Sequence, residues 1–291
     1  MRRAAALALS SAAFFMGYYT RLAWGILSSY AGWSTSSLSA GLVFSLFFAA
    51  YVAVQIPAGI ASDSLGPKPV VIAALLGLAA STALAGASNG VAAMYAASAL
   101  MGFSAGWVYP ATVKLIAALY GPDELPYAMS YYSLAWPLSI AALGVTAPEI
   151  AEALGWRGAY YAFASVDLAM AVAAALILPG SAGAGKSRQT ELKAMGSRGA
   201  ILLAAGGFIF FTAYWAFAFY AYDYLLWLGI PSGVAGLIYS LTAIGGISST
   251  LIAGSVIQRL GVRRTYAVLL PLYGVWRPNY SPRGGSPAST R

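Results

Sequence analysis

Apolar residues run along this chain in long stretches separated by short polar turns, and within each stretch nearly every face of a helix would be apolar. A helix needs about 20 such residues to cross a bilayer. Stretches near 4–28, 38–60, 70–88, 91–118, 128–150, 158–178, 200–224 and 233–257 have about that length, and a ninth begins at 266. The pattern predicts an all-α membrane protein, with six helices before the polar segment 179–199. That segment is rich in Gly, Ser and Lys, the composition of a flexible linker. The expected organisation is a six-helix bundle over 1–178, a linker loop over 179–199, a second bundle over 200–276 and a polar tail over 277–291.

The second bundle echoes the first. Ala40, Gly41, Leu42, Val43, Phe44, Ser45 and Leu46 return 195 positions later as Ala235, Gly236, Leu237, Ile238, Tyr239, Ser240 and Leu241. Gly59, Leu65, Gly66 and Lys68 land on Gly254, Leu260, Gly261 and Arg263. A period this long marks a duplicated bundle, because solenoid repeats recur every 20 to 50 residues or so. Duplicated apolar bundles read as the two parallel halves of a membrane transporter, with the solute handled between them. The second copy stops where the first has reached only Ala96, and the tail from Arg277 is Pro, Ser, Gly and Arg where the first copy is apolar. A truncation or shifted reading frame near Gly274 is expected, leaving about nine of twelve helices. An inactive transporter remnant is one alternative reading.

Composition narrows the classes. The chain is 60% hydrophobic and 8% charged, against about 25% charged in a typical soluble domain. Its net charge of +8 does not imply nucleic acid, because the basic residues sit in short loops between apolar stretches, which is a topology signal. Arg2, Arg3, Lys68, Lys114, Lys186, Arg188, Lys193, Arg198, Arg259, Arg263 and Arg264 fall on one side and Arg157 alone on the other, so a multi-pass protein of the cell membrane with a cytoplasmic N-terminus is expected. Residues 1–16 read as the start of an uncleaved first helix, since the apolar run outlasts a secretory h-region. With no Cys and no His, disulfides, thiolate or imidazole metal sites and Ser-His-Asp catalysis are excluded. No cofactor or metal is expected, and the chain reads as a transporter rather than an enzyme. Gly180 to Ser187 fits GxxxxGK[ST], yet it lies in the linker between two membrane spans, with no strand to present it to a nucleotide. ATP is not expected as a partner.

The loop Gly59, Ile60, Ala61, Ser62, Asp63, Ser64, Leu65, Gly66, Pro67, Lys68 resembles the G-x-x-x-D-R-x-G-x-K/R signature of the major facilitator superfamily. Gly254, Arg259, Gly261 and Arg263 look like its second-half copy, with Ser64 replacing a basic residue and Gln258 an acidic one. Leu154, Gly155, Trp156 and Arg157 resemble the family's turn between helices five and six, and the likeness covers roughly residues 4–275. It implies a twelve-helix bundle working by alternating access. The charged Gly-rich loop of Asp63 and Lys68, with its copy at Gly254, Arg259, Gly261 and Arg263, then reads as a conformational latch, pairing across a seam in one state and releasing in the other. Where the family often places an Arg in helix four this chain has Ser98, which argues against proton coupling by that route.

Arg21 is the main candidate for chemistry. A central Arg costs about 2.5 to 3.5 kcal/mol on insertion scales and is normally retained for function. It shares a helical stripe with Tyr18, Gly25 and Ser28, and Tyr18 to Arg21 resembles the Y-x-x-R of organic-anion transporters, in which that Arg contacts the anion. The alternative is an Arg reaching the outer interface. Tyr132, Trp136, Trp107 and Trp215 are candidate substrate-binding aromatics, and Asp167 and Asp223 candidates for carrying a proton or pairing with Arg157 or Arg21, the expected coupling ion being a proton or sodium. Gly102, Ser104 and Gly106 are packing positions. The expected activity is secondary transport, by symport or antiport, of a small organic anion across the lipid bilayer; efflux of drugs or hydrophobic compounds is the alternative.

Overall fold

A computed structural model of the chain describes residues 2–33, 37–121, 123–180, 197–260, 264 and 267–268, and every regular element among them is helical. In chain order these are α1 (Arg2–Leu27), closed by a 3-10 turn (Ser28–Tyr30), α2 (Ser37–Ala53), α3 (Gln55–Ser64), α4 (Pro67–Gly86), α5 (Val91–Ala105), α6 (Val108–Leu119), α7 (Leu125–Ser133), α8 (Ala135–Ile177), α9 (Arg198–Trp227) and α10 (Ser232–Leu260). Residues 1–247 form one compact unit and 248–291 another. Most of the linker, the P-loop-like Lys186, nearly all of the ninth helix and the tail lie outside the described residues.

Among the described residues, five helical stretches are long and apolar enough to cross a membrane: Leu38–Ser64, Pro67–Gly86, Val91–Leu119, Tyr127–Ile177 and Arg198–Trp227. The 26-residue α1 has the length but lies outside this set, because Tyr18, Tyr19, Thr20 and Arg21 interrupt its apolar run. A helix of that kind needs a polar or aromatic environment rather than lipid around its middle.

Three spans expected to be continuous are broken, and each break follows one rule. α2 ends at Ala53, α5 gives way at Gly106, and α7 ends at Ser133; each of these residues lies four before a proline, Pro57, Pro110 and Pro137. Proline lacks the N–H that would reach that carbonyl and its ring crowds it, so the helix opens there and restarts. Within α8, Gly155 (φ 72°, ψ 163°) divides the element into two helices. This left-handed conformation is cheap only for glycine, which gives the Gly in Leu154–Arg157 its physical reason. Gly66 plays the same part at the start of α4 (φ 84°). Gly59 lies inside α3, and a Cβ there would meet nothing within 4 Å.

The bundle closes through small residues. α4 and α1 both pack along α8, and α2 along α5. A Cβ on Gly102 would strike the backbone of Phe47, and one on Gly106 would approach the Tyr51 carbonyl oxygen at 2.6 Å, so α5 lies backbone to backbone against α2. Ser98 is buried in this seam and donates to the Val43 carbonyl at 2.7 Å, leaving no room for a long cationic side chain. Gly144 of α8 and Gly236 of α10 form a second contact of this kind, beside which Ser240 donates to the Ala141 carbonyl at 2.6 Å.

Gly102→Val should therefore overpack the α2–α5 seam and cost about 1 to 3 kcal/mol. Thermal unfolding followed by size-exclusion fluorescence in detergent is the check, and a clear fall in midpoint is the expected outcome.

Candidate functional site

α1, α2 and α9 line an open cleft of about 900 Å³. Helical periodicity explains what lines it. Tyr18 and Arg21 are one turn apart on α1, Phe44, Phe48 and Tyr51 follow each other at helical spacing on α2, and Phe208, Phe211, Trp215 and Phe219 form a matching stripe on α9. Phe44 of α2 packs on Phe219 of α9 with ring centroids 4.8 Å apart, so the two stripes meet as an aromatic seam.

Arg21 stands at the centre of this seam. It is 4% exposed, so its side chain is held inside the protein instead of reaching the outer interface. Its guanidinium carbon lies 4.3 Å from the ring centroids of both Tyr18 and Tyr51, 5.0 Å from Trp215, 5.3 Å from Phe47 and 5.5 Å from Phe48. Each desolvated cation–π contact is worth up to about 2 kcal/mol, so several together offset an insertion cost of about 2.5 to 3.5 kcal/mol. Rings stabilise the charge without neutralising it. Among the described residues no carboxylate pairs with Arg21, and its Nε has no hydrogen-bond partner. The charge of this buried cation is therefore left without a counter-charge among the described residues.

The other candidate residues fall into separate places. Trp215 lines the cavity, and Trp136 stands behind it, stacked on Tyr18 (5.7 Å) and on Trp215 (6.1 Å). Tyr132 is fully buried in another cluster, stacked on Phe14 at 4.6 Å with its hydroxyl 2.6 Å from that of Thr112. Trp107 occupies the α5–α6 junction beside Phe103. Asp167 is wholly buried between α8 and α4, with Thr82 Oγ1 3.5 Å from its Oδ2 and no partner for Oδ1. Asp223 is half-buried near the end of α9. Among the described residues no three acidic side chains gather as a metal site would require.

Charge clusters mark the two ends of the bundle. At one end Asp63 pairs with Lys114 of α6, and Arg3 with Glu124 at 3.5 Å. Lys68 lies nearby in sequence, half-buried, and takes no part in either pair. Gly254 and Arg259 fall in the last turns of α10, whereas Gly261 and Arg263 lie outside the described residues. At the other end Glu152 of α8 accepts from Ser232, the first residue of α10, at 2.8 Å and faces the Tyr30 hydroxyl at 3.5 Å, which is in turn 3.5 Å from that of Tyr222 on α9. Carboxylate and helix N-terminus suit each other electrostatically. Arg157 meanwhile donates to the Ser88 carbonyl at 3.0 Å and to Asn89 at 3.3 Å, fixing the Gly155 turn to the end of α4.

The sequence profile of the Major Facilitator Superfamily matches residues 4–276. The chain belongs to this superfamily. A probable sulfoacetate transporter of Cupriavidus necator, SauU, is 32% identical over 142 residues, which are 47% of this chain and 31% of that protein. The efflux pump azaK of Aspergillus niger is 38% identical over 95 residues, 33% of this chain and 20% of the pump. The aligned regions thus cover about a third or less of these relatives. Among solved structures, a bacterial homologue of the human lysosomal transporter Spinster superposes with a TM-score of 0.67 at 14% identity, over 90% of this chain and 64% of that one. A bacterial homologue of the human drug peptide transporters gives 0.55 at 16% identity, over 93% and 56%. At such identities these two speak for the fold. The superfamily's loop signature gains a specific partner here: its aspartate, Asp63, is held by Lys114, 51 residues away in the chain.

Neither Lys114 nor Glu152 is marked by a local motif. Phe48 and Tyr51 are legible only as part of an aromatic stripe on α2. Because Glu152 joins the ends of helices from both sides of the linker, Glu152→Ala should loosen that end. The chain has no cysteine, so a single Cys at Ala235, fully buried on the first turns of α10, can report on it. Maleimide labelling is expected to rise severalfold in the Glu152→Ala background, and an unchanged rate would mean that packing alone holds the end shut.

Proposed function

We propose that the protein is a secondary transporter of a small organic anion, with Arg21 as the counter-ion and Tyr18 as a hydrogen-bonding neighbour. The observation that carries this reading is the buried, ring-caged and uncompensated Arg21 at a cavity between α1, α2 and α9. Binding an anion there replaces lost hydration with a charge-assisted contact. A protein can shift between two states only by as much as its ligand prefers one of them, and a single buried charge supplies that preference. The probable sulfoacetate transporter of Cupriavidus necator takes its name from a solute that is likewise a small organic anion.

In this reading the chain sits as a multi-pass protein in the cell membrane with its N-terminus in the cytoplasm, placing the Asp63–Lys114 and Arg3–Glu124 pairs inside and the Glu152 contacts outside. The loop Gly59 to Lys68, with its copy Gly254 to Arg263, works as the inner latch. Asp167 and Asp223 are the groups through which a proton or sodium gradient would couple. Trp136 shapes the site from behind, and Tyr132 and Trp107 brace the helices that border it. The domain division at 178 and 200 is retained as the pair of rocking bundles.

A second reading, efflux of hydrophobic compounds, draws on the aromatic walls of the same cavity and on the efflux pump among the relatives. Arg21→Ala separates the two. In proteoliposomes containing the full chain, uptake of a panel of labelled organic anions should fall at least tenfold in the variant. Uptake of apolar dyes that persists at the parent rate in Arg21→Ala, with no anion transported by either protein, would favour the second reading.

A further inference from the structure

We infer that the Arg21 cavity selects anions that carry a single charge on an apolar, ring-bearing body. The inference rests on the reading of this cavity as the substrate site. Three observations lead to it. First, Arg21 is the one charged residue lining the cavity among the described residues, so one negative charge is compensated and a second is not. Placing an unpaired second charge against rings costs several kcal/mol of hydration, and this disfavours dianions.

Second, the volume is far larger than a small carboxylate requires. The open cleft of about 900 Å³ leaves room beside Arg21 for a ligand of drug size. A two-carbon anion on Arg21 would leave Phe44, Phe211 and Phe219 uncovered.

Third, the guanidinium carbon lies 4.3 Å from the ring centroids of both Tyr18 and Tyr51, and its Nε has no hydrogen-bond partner, so an N–H group remains for the anion. The ligand's remaining body then extends along the α2–α9 seam, where Phe44, Phe211 and Trp215 present ring faces and edges. Offset or edge-to-face contacts with them add to the gain from area burial. Charge sets the position of the ligand's head and the seam chooses its tail.

This differs from what transfer of a relative's substrate would give, since sulfoacetate carries two charges and no apolar body. The test uses the purified full chain in nanodiscs, with binding read by titration calorimetry and by tryptophan fluorescence. Four probes suffice: acetate, phenylacetate, sulfoacetate and the neutral phenylacetamide. Phenylacetate is expected to bind at least tenfold more tightly than the other three, and Phe211→Leu to shrink its advantage over acetate while the protein stays monodisperse. Arg21→Gln should weaken both anions and bring phenylacetate down to the level of phenylacetamide.

Sulfoacetate or acetate binding as tightly as phenylacetate, with that binding lost in Arg21→Gln, would overturn the inference and leave the anion site standing. Phenylacetamide binding as tightly as phenylacetate, with both indifferent to Arg21→Gln, would overturn the anion site itself. The comparison of the four probes on the parent protein decides the inference even if a variant fails to fold.

Discussion

One positive charge held inside a membrane protein sets the terms for everything around it. Arg21 is 4% exposed and has no acid beside it among the described residues, so its burial is offset by ring faces, the one apolar surface that still attracts a cation. Tyr18 on the same helix, Phe47, Phe48 and Tyr51 on α2, and Trp215 on α9 provide them. An acid in their place would have neutralised the charge of Arg21 outright. Aromatic containment keeps the charge both tolerable and available.

That arrangement depends on helices approaching closely at one seam while standing apart at another. Gly102 and Gly106 draw α5 onto α2, and the Gly144–Gly236 contact draws α10 onto α8. With those seams shut by backbone contact, the aromatic side chains of α2 and α9 hold the remaining gap open as the cavity. The prolines act in the same sense: Pro57, Pro110 and Pro137 each open the helix one turn earlier, redirecting the second, fourth and fifth spans.

The polar contacts at the two ends differ in kind. Asp63–Lys114 and Arg3–Glu124 tie together helices that all precede the linker, whereas Glu152, Tyr30, Tyr222 and Ser232 connect helices on both sides of it. The exposed ion pairs of the first kind are individually worth about 1 kcal/mol or less, whereas the Tyr30–Tyr222 contact of the second kind is partly buried.

Much of this was legible along the chain. Apolar length placed the helices, because in lipid a backbone must satisfy its own hydrogen bonds and has few alternatives. The 195-residue echo revealed two related bundles, and the Asp63 loop and Arg21 stood out because charge inside apolar sequence is costly. The resemblance of Leu154–Arg157 to a family turn foretold the break at Gly155, and small residue type the close contact at Gly102. Tertiary structure decided what linear order does not contain: that Arg21 faces Tyr51 and Trp215 and no acid, that Asp63 takes Lys114 and not Lys68, and that Tyr132 and Trp107 stand away from the cavity while Phe44 and Phe211 line it. Membrane insertion is set by local composition, and so a sequence declares it; selectivity is set by which helix faces meet, and that is fixed only when the bundle packs.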